Sequence, residues 1–501
     1  MDLLPFQLIS VISDYVDACD MIMFLTLSKK LQKLLLIDDP MVLPPLRIRY
    51  FHLFKNQPRG VFRINVPYDT GYDILDKVYL DRSLTINASQ ALPMLEMLKM
   101  DKTLQSLVIR QENGVMEGLT HAIVSMLMVN NSLEKIVMDR IIISSEEAMV
   151  IAVMIQNNKT LTDIGLLFNN IGKDGVKYIA DALTNNDTLK IVDMRWNGLG
   201  TAGGKFMATM LQSNKSMISI NLYGNWMGNE GVKHFAEALQ KNNTLTTLVL
   251  GHNNIGDEGA KHLATMLKKN KTLLEIDVST NPIHQGGAKH FSESLTANQT
   301  LTALSLNGDR IGDEGAKHLA TMLKINKTLT VLQLDSNSIS EGGAKHLSES
   351  LKKNNVLTTL SLSYNNIHEE GAKHLSESLK INNSLTSIAL ESNGIDVEGA
   401  KHVANALRVN QTLTSIDLNR NGMEDEGVKY LADALRVNQT LTRIDLVIND
   451  IRDEGAKHLA ESLEINKTLL HVDLTDNRIN SQMENRLRNI NKTNKAVQVT
   501  L

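Results

Sequence analysis

Eight histidines return at one phase of the chain: His234, His262, His290, His318, His346, His374, His402 and His458. Imidazole is the commonest metal ligand and a frequent general base, so a regular row invites a search for chemistry. The spacing argues against a shared ion. Each histidine sits in its own helical phrase, and packed helices lie about 8–10 Å apart. Two nitrogens on one zinc must each come within about 2 Å of it. The other reactive groups are no better placed. Cys19 is the single cysteine and has no visible base partner. GLGTAGGKF at 198–206 is glycine-rich, but its spacing is wrong for a phosphate loop, and Phe206 stands where Ser or Thr is needed. No carboxylate pair or triad has a usable spacing. The expectation is a chain with no catalytic residue, no metal site and no cofactor, hence not an enzyme.

Other residues have the chemistry of recognition. Trp196 and Trp226 are the only tryptophans, and Phe168, Asp193, Arg195 and Tyr223 fall near them in the repeat scheme. Trp, Tyr and Arg dominate interfaces more often than other types. Trp226, between Asn225 and Met227, has a second reading as a lid packed over buried polar groups. Asp417, Asp445 and Asp473 share one strand position in three successive units. Like charges would then stack about 5 Å apart and repel. Arg443 and Arg420, or a basic partner, would relieve them. A solvated acidic stripe is the plainer alternative.

The elements that must carry these residues are set by a repeat. From Leu133 to Leu469 the chain repeats every 28 residues, thirteen times, with no insertion or deletion. Such a period marks a solenoid. Within 245–270, Leu245, Leu248 and Leu250 lie on a short strand. Ala260, Leu263, Ala264 and Leu267 then follow at helical spacing. Asp257 is placed to cap the helix, and Lys268 and Lys269 suit its negative end. Asn253 recurs as Asn169, Asn197, Asn225, Asn281, Asn337, Asn365, Asn393, Asn421, Asn449 and Asn477, with Asp309, Ile141 and Glu112 breaking the column. A buried Asn column makes sense if its amides bond the loop backbones of adjacent turns, and it should begin near Asn169. Asn-x-Thr/Ser at Asn158, Asn186, Asn214, Asn242, Asn270, Asn298, Asn326, Asn382, Asn410, Asn438 and Asn466 falls just after each helix. Left-handed helix ends explain it better than glycosylation.

The exposed strand positions run Asp193, Asn221, Val249, Asp277, Ser305, Gln333, Ser361, Ala389, Asp417, Asp445, Asp473 in one column. They vary, while the helices keep Ala-Lys-His. Diversification for a ligand explains this. So does recent duplication, since GDEGAKHLATMLK stands at both 256–268 and 312–324.

LxxLxLxxNxI followed by DEGAxxLAxxL closely resembles the leucine-rich repeats of the ribonuclease-inhibitor class. Phrases such as NKTLTxLxL and IGDEGAKHLA look most like the arrays of NOD-like receptors. The resemblance covers about residues 104–501. It implies an α/β leucine-rich-repeat solenoid, a horseshoe with parallel strands on the concave face and helices on the convex face. The receptors' nucleotide-binding domain has no counterpart here, so their signalling role does not carry over. Residues 4–31, LPFQLISVISDYVDACDMIMFLTLSKKL, resemble an F-box, with Leu4, Pro5, Leu8, Ile9, Ile12 and Leu27 in register. Gln7 and Leu31 depart from that pattern. The resemblance implies that these residues bind a Skp-type adaptor of a ubiquitin ligase. The alternative is a helical cap on the first repeat. The expected organisation is a small helical element at 1–39, a linker and degenerate capping repeat at 40–103, repeats at 104–480 and a C-terminal cap at 481–501.

Composition narrows the setting. A formal charge of −4 with no long basic block, and 4% aromatics, make nucleic acid an unlikely partner. A lone cysteine and the absence of a signal-like start point to the cytoplasm or the nucleus. No apolar run approaches the roughly 18 residues that span a bilayer. Three functions follow. The first is substrate recognition within an SCF-type ubiquitin ligase, with a protein bound on the concave face. The second is a stand-alone repeat scaffold or sensor. The third is a Ran GTPase-activating protein, which shares this repeat class. Arg195 or Arg110 would then be catalytic, but the acidic tail of that family is missing, since 482–501 holds Arg486, Arg488, Lys492 and Lys495. The oligomeric state stays open.

Overall fold

The computed structural model describes residues 83–87, 91–92, 95–96, 98–111, 116–493 and 497–501. The chain divides into two compact units, Met1–Gly198 and Leu199–Leu501. In the first, strands Ser83–Asn87, Ser106–Arg110, Lys135–Asp139, Asp163–Gly165 and Ile191–Asp193 pair parallel in sequence order. Helices Leu119–Leu127, Ser145–Asn157 and Gly172–Thr184 alternate with them. The second unit repeats this alternation from helix Gly200–Ser213 and strand Ser219–Asn221 to strand His471–Asp473, helix Ser481–Thr493 and strand Gln498–Thr500. Both units are α/β leucine-rich-repeat solenoids, with parallel strands on one face and helices on the other.

Among the described residues, adjacent strands within the second unit pair in register. Leu248 lies opposite Ile220 on one side and Ile276 on the other. Strand alternation turns Leu248 inward, where it is fully buried, and leaves Thr247 and Val249 half-buried on the outer side. Ala260, Leu263, Ala264 and Leu267 cover the other side of the same core. Burying one such leucine contributes roughly 1.5–3 kcal/mol. Each turn adds the same set.

The Asn column is a hydrogen-bond ladder. In the first unit it begins at Asn169, whose Oδ1 accepts from Ile141 N and Ile142 N. In the second, Asn253 Oδ1 accepts from Asn225 N, and Asn253 Nδ2 donates to Leu222 O, Leu250 O and Gly251 O. Each amide thereby ties its own loop to the preceding one.

Asp309 interrupts the ladder with a carboxyl. Its Oδ1 accepts from Asn281 N at 2.7 Å, but its buried Oδ2 accepts no hydrogen bond. Burial drives its pKa well above the usual 3.8, against the bond from Asn281 and with help from Asp277. Between the ordinary value and the raised one, folding takes up a proton. The stability Asp309 contributes is fully present below about pH 3.8 and is lost as the pH rises through the raised value. Asp309→Asn supplies the missing donor at every pH. It should raise stability at pH 7 by about 1–3 kcal/mol, and the gain should shrink as the pH falls toward 4. Urea melts across this range measure both; a gain that ignores pH would rule out protonation at this site.

The glycosylation-like asparagines form a second ladder, and the expected left-handed helix ends are not found there. Asn158, Asn214 and Asn466 are extended, with φ of −71°, −63° and −65°. Asn270 is typical. Its Nδ2 donates to Leu239 O in the previous helix, and its Oδ1 accepts from Thr272 N and Leu273 N. The amide that a sugar would need is buried and engaged.

Capping also crosses between turns. Asp257 was expected to cap its own helix, but helix Asp257–Leu267 has no side-chain cap from its N-cap residue Gly256. Asn229 of the previous turn accepts from Gly256 N and Gly259 N instead. Asp257 in turn accepts from Gly287 N of the next helix. Asp425 does the same for Arg452 N and Gly455 N. The stacked helices bring each carboxylate to the next helix's free N–H groups, where the dipole favours it.

Candidate functional site

The ladder dictates the loop that follows each strand. The residue before the ladder Asn takes the left-handed conformation, as Phe168 (φ 55°), Trp196 (56°), His252 (52°) and Tyr364 (57°) show. Trp226, just after Asn225, is left-handed as well (φ 54°). Glycine does this freely and stands before the ladder at Gly224 and Gly308. A bulky side chain there costs about 1–2 kcal/mol.

In the first unit, Phe168 and Trp196 stack, with centroids 5.9 Å apart and rings inclined by 12°. The Arg140 guanidinium lies 4.8 Å from the Phe168 ring centre. Arg195 was expected to face a partner. Its guanidinium instead pairs with Asp193 at 2.9 Å, and both side chains are largely covered, at 28% and 20% exposure. The approach is local: Arg195 lies in the turn just after strand Ile191–Asp193, and its backbone N–H also donates to Asp193 Oδ1. Burial raises the Asp193 pKa, opposed by Arg195.

In the second unit, Tyr223 stacks on His252 at 5.9 Å. Gly251 makes room for it, since a Cβ at 251 would lie 2.5 Å from the Tyr223 ring. Trp226 does not pack over the ladder; it is 61% exposed. Further along, the Tyr364 hydroxyl donates to Glu391 Oε1 at 2.6 Å, which pushes the Tyr364 pKa up to about 12. Arg420 pairs with Glu391 at 3.4 Å rather than with the aspartate column.

Asp417, Asp445 and Asp473 do stand in register on adjacent strands. Their environments differ. Asp445 was expected to be exposed but is buried, with Arg443 Nε donating to its Oδ2 at 2.8 Å. Neighbouring strands crowd its carboxyl, so position on the pleat does not by itself give exposure. Desolvation lifts the Asp417 pKa to about 6, against a backbone bond from Asn419 and with help from Glu391 and Asp445.

The eight histidines of the row are half-buried, and each sits on a different helix. Among the described residues, the three-member group of metal-ligating side chains is Asp445, His471 and Asp473, none of them in that row. Sequence reading missed His471, Tyr364 and Arg140. Tyr364 shares the phase of Phe168 and Trp196, and His471 precedes Asp473 by one pleat, so both signals were present. Leu4, Pro5, Leu8, Ile9, Ile12 and Leu27 lie outside the described residues. Among the described residues, no helix is long and apolar enough to cross a membrane.

A family model described as the MHP1/HER1/GIP3 LRR domain matches residues 216–477, and a Leucine Rich repeat model matches 157–180 and 185–208. Among solved structures the chain is similar to one in the crystal structure of the Rad7 and Elc1 complex in yeast. That likeness has 16% identity, covers 71% of this chain and 83% of that one, and has a TM-score of 0.45. It is also similar to Leiomodin-1 actin-binding site 2, at 23% identity, 31% and 89% coverage, and a TM-score of 0.26. No curated protein matches the chain. Leucine-rich repeats are typically binding scaffolds rather than enzymes. With more than half of its length inside the first match, the chain belongs to the MHP1/HER1/GIP3 leucine-rich-repeat family.

Proposed function

We propose that this protein is a non-enzymatic scaffold that holds a protein partner on its strand face. Residues 1–39 would recruit a Skp-type adaptor, making the chain the substrate-recognition subunit of an SCF-type ubiquitin ligase in the cytoplasm or nucleus. The strand-face contacts are assigned to Phe168, Trp196, Tyr223 and Trp226, with Asp193, Arg195, Asp417, Asp445 and Asp473 shaping charge. The proposed division remains 1–39, 40–103, 104–480 and 481–501.

Trp226 carries the binding reading. It is 61% exposed and left-handed, where a glycine would be strain-free. A large apolar ring held in a costly conformation and left mostly in solvent is explained by a contact made outside the chain. Trp226→Gly separates this from a structural role. The variant should be as stable as the parent, or more stable by about 1 kcal/mol, yet bind its protein partner about tenfold more weakly. Quantitative pull-down with thermal melts reads both, and unchanged partner recovery refutes the assignment. For the N-terminus, removing residues 1–39 should abolish co-purification of a Skp-type adaptor and leave the strand-face partner bound. If the full chain never captures an adaptor and the truncated one aggregates, the segment is a cap.

A further inference from the structure

Val472 is fully buried, and the residues on either side of it, His471 and Asp473, leave strand His471–Asp473 on the same side. The neighbouring strand Arg443–Asp445 runs parallel, with Asp445 opposite Asp473 and Arg443 opposite His471. This brings ligating atoms of Asp445, His471 and Asp473 within 4.8 Å of one another.

Asp445 is the informative member. It is only 6% exposed. Arg443 holds its Oδ2, while its Oδ1 is buried and accepts no hydrogen bond. That oxygen faces His471 Nε2 at 3.7 Å, beyond hydrogen-bond range. A buried carboxylate oxygen without a donor is costly. A cation between the two atoms would satisfy both. Ligands on one tetrahedral zinc, each about 2.0–2.2 Å from it, sit about 3.4 Å apart, so the pair is almost at the required separation. The second carboxylate is already oriented, since Asp473 Oδ1 accepts from Thr475 N at 3.0 Å and from Thr475 Oγ1 at 2.6 Å. Such outer bonds are typical supports of metal ligands.

We propose that Asp445, His471 and Asp473 form a binding site for a divalent transition-metal ion of the zinc class. One imidazole with two carboxylates suits such an ion, whereas calcium and magnesium favour all-oxygen sets. The His471 side chain is 23% exposed, so the site opens onto the strand face. Three protein ligands leave a coordination position for water or for a side chain of a bound protein. The site is independent of the helical histidine row and does not rest on the proposed adaptor role.

The test uses full-length protein, stripped with a chelator and titrated with Zn²⁺ by calorimetry and with Co²⁺ by visible absorption. The wild type should show a saturable site with the d–d bands of ligated cobalt. His471→Gln and Asp473→Asn should each weaken it about tenfold or more, while His458→Gln in the helical row should leave it unchanged. Circular dichroism checks that the variants fold; if Asp473→Asn does not, His471→Gln decides alone. No saturable uptake by the wild type, or wild-type affinity in His471→Gln, overturns the site and leaves a plain ion pair.

Discussion

Asn253→Ala should destabilise the second unit by about 3 kcal/mol or more. The side chain is fully buried and joins two turns. It donates to Leu222 O, Leu250 O and Gly251 O at 2.8, 3.0 and 3.0 Å, and accepts from Asn225 N and Met227 N at 3.1 and 3.3 Å. Alanine strips all five bonds and leaves a void that the backbone cannot close. The carbonyls suffer less than the N–H groups. Leu222 O keeps a bond from Asn225 Nδ2, and Leu250 O keeps one from Asn281 Nδ2. The cost therefore falls mainly on Asn225 N and Met227 N, whose desolvation is no longer compensated. Each turn of a solenoid leans only on its neighbours, so a weak link in mid-array should also broaden or split the transition. Urea unfolding followed by circular dichroism reads both effects. A single sharp transition shifted by less than about 1 kcal/mol would mean that water or backbone relaxation replaces the amide.

Gly287→Ala should be destabilising by about 1–3 kcal/mol, although alanine is the better helix former. Gly287 lies in helix His284–Leu295. A Cβ there would come within 2.2 Å of Ile283 Cγ2 and 2.9 Å of Ala260 Cβ on the preceding helix. Ile283 is β-branched and stiff, and its neighbours are fully packed, so it cannot simply swing aside. The same approach recurs at Gly259, Gly315, Gly343, Gly371 and Gly399, where the nearest atom would stand at 2.5–2.7 Å. Gly256 provides the contrast, because its Cβ would meet nothing nearer than 3.6 Å. Gly256→Ala should stay within about 1 kcal/mol of the parent. Paired thermal melts compare the two. Equal Tm values would show that helix spacing adjusts freely, which the repeated close approach argues against.

Much of this architecture was legible in the residue order. The strict spacing of Leu245, Leu248 and Leu250 and of Ala260, Leu263 and Leu267 separates strand from helix, and an identical period keeps strands in register. The first Asn ladder was legible for a related reason. A polar residue at a core phase must be satisfied, and the break at Ile141 placed its start at Asn169. Trp226 was singled out by its type and its place in the repeat, but only the fold showed that its ring lies outside the ladder.

The sequence by itself determined which residues are inward, which are polar and how often each returns. The tertiary structure decided whom the polar groups meet. Asp257 reaches the helix 30 residues ahead and Asn270 the carbonyl 31 residues behind. In a stacked array, lateral neighbours come from other turns, at distances no local window spans. Cross-turn capping, the ladder partners and the burial of Asp445 therefore emerge only when the turns are laid side by side.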